Sequence, residues 1–171
     1  MKCILFLVMA GIPYYLFGQD DLRQSQKELI GTTVKEISFT DYLKNEPADK
    51  NFNSKFKVLE FWATWCRPCL AAVPHINKLQ AKFKDEDILF ISVTAEAPEK
   101  TVKTLQKVNF ETIVVSDQTR TIHRDLRIEY KNTMAIPRTV LIDNENKIVW
   151  YGSPKDLTPS LLKKFLNKEP L

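Results

Sequence analysis

A Cys-x-x-Cys pair, Cys66-Arg67-Pro68-Cys69, lies where one hydrophobic period gives way to another. Upstream, Val58-Leu59-Glu60-Phe61-Trp62 is an apolar run of strand length with one acid in its middle. Downstream, Val73, Ile76, Leu79 or Gln80, and Phe83 recur at helical spacing, which predicts an amphipathic helix over about 69–84. Pro74 falls inside that helix and is expected to kink it, because it lacks the amide that bonds back one turn. A buried strand that runs straight into two cysteines and out into a helix restricts the chain to an α/β arrangement.

The rest of the sequence keeps that rhythm. Strands are predicted at 88–93, 112–115, 139–142 and 148–151, the last two around the polar turn Asp143-Asn144-Glu145-Asn146. Helices are predicted at 98–108 with Val102, Leu105 and Val108 inward, and at 119–126 with Ile122 and Leu126 on one side. A last helix is capped by Thr158, has Pro159 in its first turn, and faces Leu161, Leu162 and Phe165 inward. Val34, Ile37 and Phe39 suggest an N-terminal strand, followed by a polar loop over 44–57. Strands alternating with helices, ending in a hairpin and a helix, specify an α/β sheet covered on both faces. One domain over 34–171 accounts for all of it.

Ahead of that domain, Met1-Lys2-Cys3 leads into an apolar run from Ile4 to Phe17 and a small residue at Gly18. This is the pattern of a secretory signal peptide over 1–18. The run is shorter than the roughly 20 apolar residues of a spanning helix and contains Pro13, although an uncleaved signal would leave a membrane anchor. Residues 19–33 are expected to form a tether, with Asp20 to Ile30, polar and mixed in charge, either extended or a short helix. The net charge of +4 comes from 25 basic and 21 acidic residues with no basic run, which argues against a nucleic-acid partner.

If Cys3 leaves with the signal, two of the three cysteines remain, Cys66 and Cys69. A single close pair is not a disulfide scaffold, and a bridge across two residues barely restrains the unfolded chain. The pair is there to react. Unpaired amides and the positive dipole end of a helix favour a thiolate, so Cys66 is the expected exposed nucleophile, with the Arg67 cation beside it. Cys69, one turn in, would attack the mixed disulfide formed at Cys66. Zinc would need further ligands, and the only two histidines, His75 and His123, stand far apart, so no metal is expected. Leu70 after the second cysteine excludes a c-type haem attachment, and no other cofactor is implied. A thiol peroxidase would want Thr three residues before the nucleophile, where Ala63 stands. His75 is expected on a solvated helix face and His123 at the surface. Glu60 is costly in its strand without a partner or a task. Burial would raise its pKa and suit it to act as a general base, while a solvent-facing position or a pair with Lys57 is the bland alternative.

The stretch Val58-Leu59-Glu60-Phe61-Trp62-Ala63-Thr64-Trp65-Cys66-Arg67-Pro68-Cys69 closely resembles the active-site segment of thioredoxin-like proteins. The signal peptide and the length point to the periplasmic TlpA/ResA-like branch. Ala135-Ile136-Pro137-Arg138-Thr139-Val140-Leu141-Ile142-Asp143 is similar to the segment that carries that family's cis-proline, and 98–115 fits the helix–strand unit that this branch inserts. The resemblance implies a thioredoxin-like fold, a central mixed sheet with helices on both faces. It implies that Pro137 is cis against the cysteine pair, and that the Ile136 backbone pairs with an extended substrate segment. Trp65, Arg67 and Pro68 would face substrate, and Glu60 would manage the proton on Cys69. The activity implied is a periplasmic thiol–disulfide oxidoreductase, a reductase of protein disulfides recharged by a membrane thiol electron donor. The alternative is a thioredoxin-fold binding module or metallochaperone without turnover. Ala72 replaces a Glu usual near cytochrome c maturation, Ala135 a common Gly and Arg138 a common Thr, departures that bear on substrate preference.

Overall fold

The computed structural model describes residues 14–35 and 37–171, with side chains from Asp20 onward. Its centre is a six-stranded mixed sheet in the order β1-β4-β3-β2-β7-β8. The strands are β1 (Asp41–Lys44), β2 (Phe56–Phe61), β3 (Ile88–Thr94), β4 (Ile113–Ser116), β7 (Arg138–Ile142) and β8 (Ile148–Gly152). β2, β3 and β4 run parallel, while β1, β7 and β8 each run antiparallel to the neighbour they join. A separate two-stranded hairpin, β5 (Glu129–Tyr130) and β6 (Thr133–Met134), leads into β7.

β2 is the middle of the molecule, buried along its whole length. Alternation splits it: Phe56 and Val58 pack with Ile76, Leu79, Leu162 and Phe165 on one face, and Leu59 and Phe61 join Ile91, Val93, Val140 and Ile142 on the other. The first face is covered by α2 (Arg67–Lys82) and α5 (Pro159–Leu166). On the second lie α4 (Thr121–Asp125) and the end of α1 (Tyr14–Leu29). α3 (Pro98–Lys107) closes the side nearest the cysteines through Leu105 and Val108. The α/β sheet with helices on both faces is therefore present, and so are the helix–strand unit α3–β4 and the Thr158 cap, whose Oγ1 accepts from Leu161 N at 3.2 Å.

Several local expectations are corrected. Of the two readings of Asp20 to Ile30 the helix is present, and it is docked: α1 runs across the expected cleavage point, Leu22, Ser25 and Gln26 are buried, and Gln26 Nε2 donates to Arg127 O at 2.8 Å. Its spacing is helical, but two of the three inward residues are polar, which disguised the face. Gly31 (φ +88°) turns the chain out of the helix, and its amide bonds to Ile148 O at 2.7 Å. The predicted signal segment as far as Pro13 lies outside the described residues. Among the described residues, no helix is long and apolar enough to cross a membrane.

The strand expected around Val34–Phe39 falls later, at Asp41–Lys44, where it pairs with β4 as a polar edge; Ile37 is buried from irregular chain. Phe52, inside the supposed polar loop, is also buried. α2 begins at Arg67 and continues through Pro74 to Lys82. Val102, expected inward, is 48% exposed, and Thr101 is the buried residue of α3, its hydroxyl returned to Pro98 O.

Candidate active site

β2 ends at Phe61, and the chain reaches α2 through a tight turn in which Cys66 N donates to Ala63 O at 3.0 Å. Glu96, just past β3, clamps that turn: its carboxylate accepts the Thr64 amide at 2.6 Å and the Thr64 hydroxyl at 2.8 Å. Cys66 occupies the N-cap of α2, where its Sγ accepts the Cys69 amide at 3.3 Å, and Pro68 sits in the first turn, where no amide is needed. Cys66 and Cys69 form a disulfide with their Cα atoms 5.3 Å apart.

Both sulfurs are covered. Cys66 is 4% exposed and Cys69 5%, so the expected exposed nucleophile is buried in the disulfide state. They pack with Trp62, Ala63, Val73, Phe110 and Val114, and with half-buried Ile136. What reaches solvent is the collar around them, with Trp65 at 64% and Arg67 and Pro68 also exposed. The Ile136–Pro137 peptide is cis. The loop carrying it is anchored by Ala135 N to Ile128 O at 2.7 Å, while Ile136 itself has no backbone hydrogen bond to another described residue. A cleft of about 70 Å³ between Trp62, Ala63 and Trp65 on one side and Met134 and Ile136 on the other brings the two motifs together.

Glu60 is fully enclosed and points to the α2 face, with Cys69 on the wall of the same small cavity. Its cross-strand neighbours are Thr139 on β7 and Ser92 on β3. Thr139 donates its hydroxyl to Glu60 Oε1, and Ser92 shares a 2.7 Å hydrogen bond with Thr112. Burial raises the Glu60 pKa to about 8, and the Thr139 hydrogen bond opposes that rise without reversing it. Lys57, three positions away, points to the other face, so the Glu60–Lys57 pair does not form. The Lys57 ammonium donates instead to Phe52 O at 2.9 Å, Lys55 O at 2.7 Å and Asn146 Oδ1 at 2.8 Å.

His123, expected at the surface, is 1% exposed; its Nδ1 lies 2.8 Å from Asp117 Oδ2, and its ring meets Phe61 edge-on. His75 is half-buried, with Nε2 at 2.8 Å from Leu157 O. Neither histidine belongs to a metal-ligating cluster among the described residues.

The structure thus brings Cys66, Cys69, Trp65 and Ile136 together and sets Glu60 behind Cys69. Arg67 and Pro68 lie on the open rim, and Pro137 lines a second groove with Arg138. Sequence reasoning missed Thr139, Glu96 and the buried Asp117–His123 pair. Thr139 was within reach of strand alternation: with Leu141 inward toward α2, the residue two before it takes the same face.

The redoxin family profile matches residues 30–166. Thiol-disulfide oxidoreductase ResA from Bacillus cereus is 26% identical over 149 residues, covering 86% of this chain and 83% of that protein. The thioredoxin domain of a thiol-disulfide oxidoreductase from Bacteroides vulgatus superposes with a TM-score of 0.61 at 23% identity, over 81% of this chain and 98% of that one. A 2-Cys peroxiredoxin from Plasmodium vivax superposes with a TM-score of 0.65 at 12% identity, over 82% and 95%. At those identities the two structures speak for the thioredoxin-like fold alone. With the profile spanning most of the sequence, the chain belongs to the redoxin family, and its active-site segment and its relatives are ResA-like.

Proposed function

We propose that this protein is a thiol–disulfide oxidoreductase that works through Cys66 and Cys69 and reduces protein disulfides outside the cytoplasm. The observation that carries the reading is the redox pair at the N-terminus of α2 with a buried, neutral-leaning carboxyl in the cavity behind its second cysteine. ResA-like relatives support the activity. The signal-like N-terminus supports export to the periplasm.

In the reduced protein, the Cys66 thiolate, favoured by the amides and dipole of α2, attacks a substrate disulfide. One S–S bond breaks, a Cys66–substrate disulfide forms, and the first substrate thiolate leaves and takes a proton from water. Cys69 passes its proton to the Glu60 carboxylate, attacks Cys66 Sγ and releases the second substrate thiolate. Two electrons have moved from the protein to the substrate, and the pair is left as the disulfide described above. Burial raises the Glu60 pKa to about 8, which makes its carboxylate a stronger base than an ordinary one and suits it to take that proton. A membrane thiol donor would restore the dithiol by the reverse sequence. Trp65, Arg67 and Pro68 form the rim on which substrate rests, and Ile136 offers its free backbone groups to an extended segment beside Pro137.

The deciding measurement equilibrates the protein with dithiothreitol buffers and counts free thiols by alkylation. A midpoint near roughly −270 mV supports a reductase, and one near about −120 mV makes the protein a disulfide donor. Absence of a reversible two-electron couple removes the oxidoreductase reading and favours a binding module.

A further inference from the structure

A groove of about 230 Å³ runs from Pro137 toward α1, floored by Ile136 and Pro137 and walled by Leu22, Arg23 and Arg138. It adjoins the cleft at Trp65 through Ile136 and Met134, which line both. Its charge is one-sided. Arg138 is half-buried with its Nε enclosed and without a hydrogen-bond partner, and its guanidinium stacks over Tyr151 at 5.8 Å. Arg23 is exposed on the facing side of the groove, and no salt bridge joins either arginine to a described acid. Burial first, and then the Arg23 charge, pushes the Arg138 pKa down, opposed more weakly by Tyr151 and Asp156. Two guanidiniums that repel each other in a partly dry groove form a site short of an anion.

We propose that this groove receives an acidic side chain of the polypeptide undergoing exchange, an Asp or Glu close in sequence to its reactive cysteine. The proposal rests on the oxidoreductase reading and adds a substrate preference to it. A segment paired with Ile136 is extended and advances about 3.3 Å per residue, so a carboxylate two or three residues from the cysteine reaches the groove. There Arg138 lines the groove with a half-buried guanidinium, and Arg23 offers a second charge from the far wall. Leu22 and Arg23 lie beyond the expected cleavage point, so both wall residues stay with the chain if the preceding residues are removed.

The test uses the reduced full chain and peptide homodimers, each joined by one disulfide, whose cysteine is flanked at the second and third positions by Asp, Asn or Lys. Reduction rates are normalised to those with dithiothreitol, which removes intrinsic differences between the disulfides. The Asp peptide is expected to react about tenfold faster than the Asn peptide, a charge-assisted hydrogen bond's worth, and the ratio should shrink as salt rises. In Arg23→Gln/Arg138→Gln the ratio should approach one, with Arg138→Lys retaining part of it. Arg23→Glu, at an exposed position, should turn the preference toward the Lys peptide even where Arg138 variants do not fold. Equal rates for Asp and Asn peptides, or a ratio that survives the double substitution, overturn the groove while leaving disulfide exchange intact. Failure of every peptide to react overturns both readings.

Discussion

Thr139 donates its hydroxyl to the Glu60 carboxyl directly across the β2–β7 ladder, both residues enclosed by the sheet and α2. The bond favours the ionised carboxylate, against a burial that favours the acid. Resolution of a Cys66 mixed disulfide by Cys69 should therefore accelerate as pH rises through about 8, where Glu60 becomes a base. Thr139→Val should move that profile upward by about one to two pH units, the effect of losing one hydrogen bond to a charged group. Glu60→Gln should flatten it. Single-turnover release of substrate thiol across pH 6–10 checks all three.

The same carboxyl makes the fold pH-sensitive. Its folded pKa is raised, so its contribution is complete below the ordinary carboxyl range and is lost as pH climbs toward about 8. Lys57 acts in the next window. Burial lowers its pKa from 10.5 to about 8, with Asp143 opposing, so the buried ammonium burdens the fold at low pH and is relieved between about 8 and 10.5. The denaturant midpoint of the oxidised protein should dip near pH 8, with Glu60→Gln removing the falling limb, whose slope is at most about 1.4 kcal/mol per pH unit. Lys57→Met should remove the rising limb and still destabilise by about 2–4 kcal/mol, because Phe52 O, Lys55 O and Asn146 Oδ1 lose their donor.

Asp117 accepts from the His123 amide at 2.9 Å, from Thr121 N at 3.0 Å and lies against the His123 ring. Burial pushes its pKa up, but the His123 hydrogen bonds and charge outweigh that and hold it below the usual value. Stability from this group is present above the ordinary Asp range and is lost as pH falls through the lowered pKa. Asp117→Ala should cost about 2–4 kcal/mol at pH 7 by leaving the start of α4 and the His123 ring without an acceptor. The deficit should narrow in acid. Urea titrations at pH 7 and pH 3 measure it.

Gly152 stands opposite Thr139 on the outer side of β7. A Cβ placed there would lie 1.9 Å from the Trp150 ring, which must then move. Gly152→Ala should lower stability by about 1–3 kcal/mol, the usual cost of forcing volume into a packed site. The combined variant with Trp150→Ala should show less of that cost in thermal melts.

The alternating pattern was legible wherever apolar residues did the work. β3, β4, β7, β8, α5 and the junction at Cys66 all follow from hydrophobic period and turn residues. What escaped were elements held by polar contacts. The docking of α1 rests on Gln26, whose amide reaches Arg127 O, β1 is a polar edge, and the β5–β6 hairpin turns on Lys131 and Asn132, both at positive φ with no glycine to announce them. His123 looked exposed because its partner, Asp117, sits in a different local element. At the site, the cysteines and Glu60 were readable as anomalies of type and position, and the cis peptide was anticipated only through resemblance. The burial of Cys66 was not, because it depends on Ile136, which arrives from seventy residues downstream.

The tryptophans flanking the turn give the protein two optical probes of different kinds. Trp62 is enclosed, tilted against Phe110 at 4.7 Å and packed with the disulfide, a strong quencher of indole emission. Trp65, three residues on, projects into water. Opening the disulfide should brighten the buried indole without moving its wavelength, whereas a polypeptide settling on the rim should shift the exposed one to the blue. Electron transfer and docking would then be read separately in one cuvette, without a label.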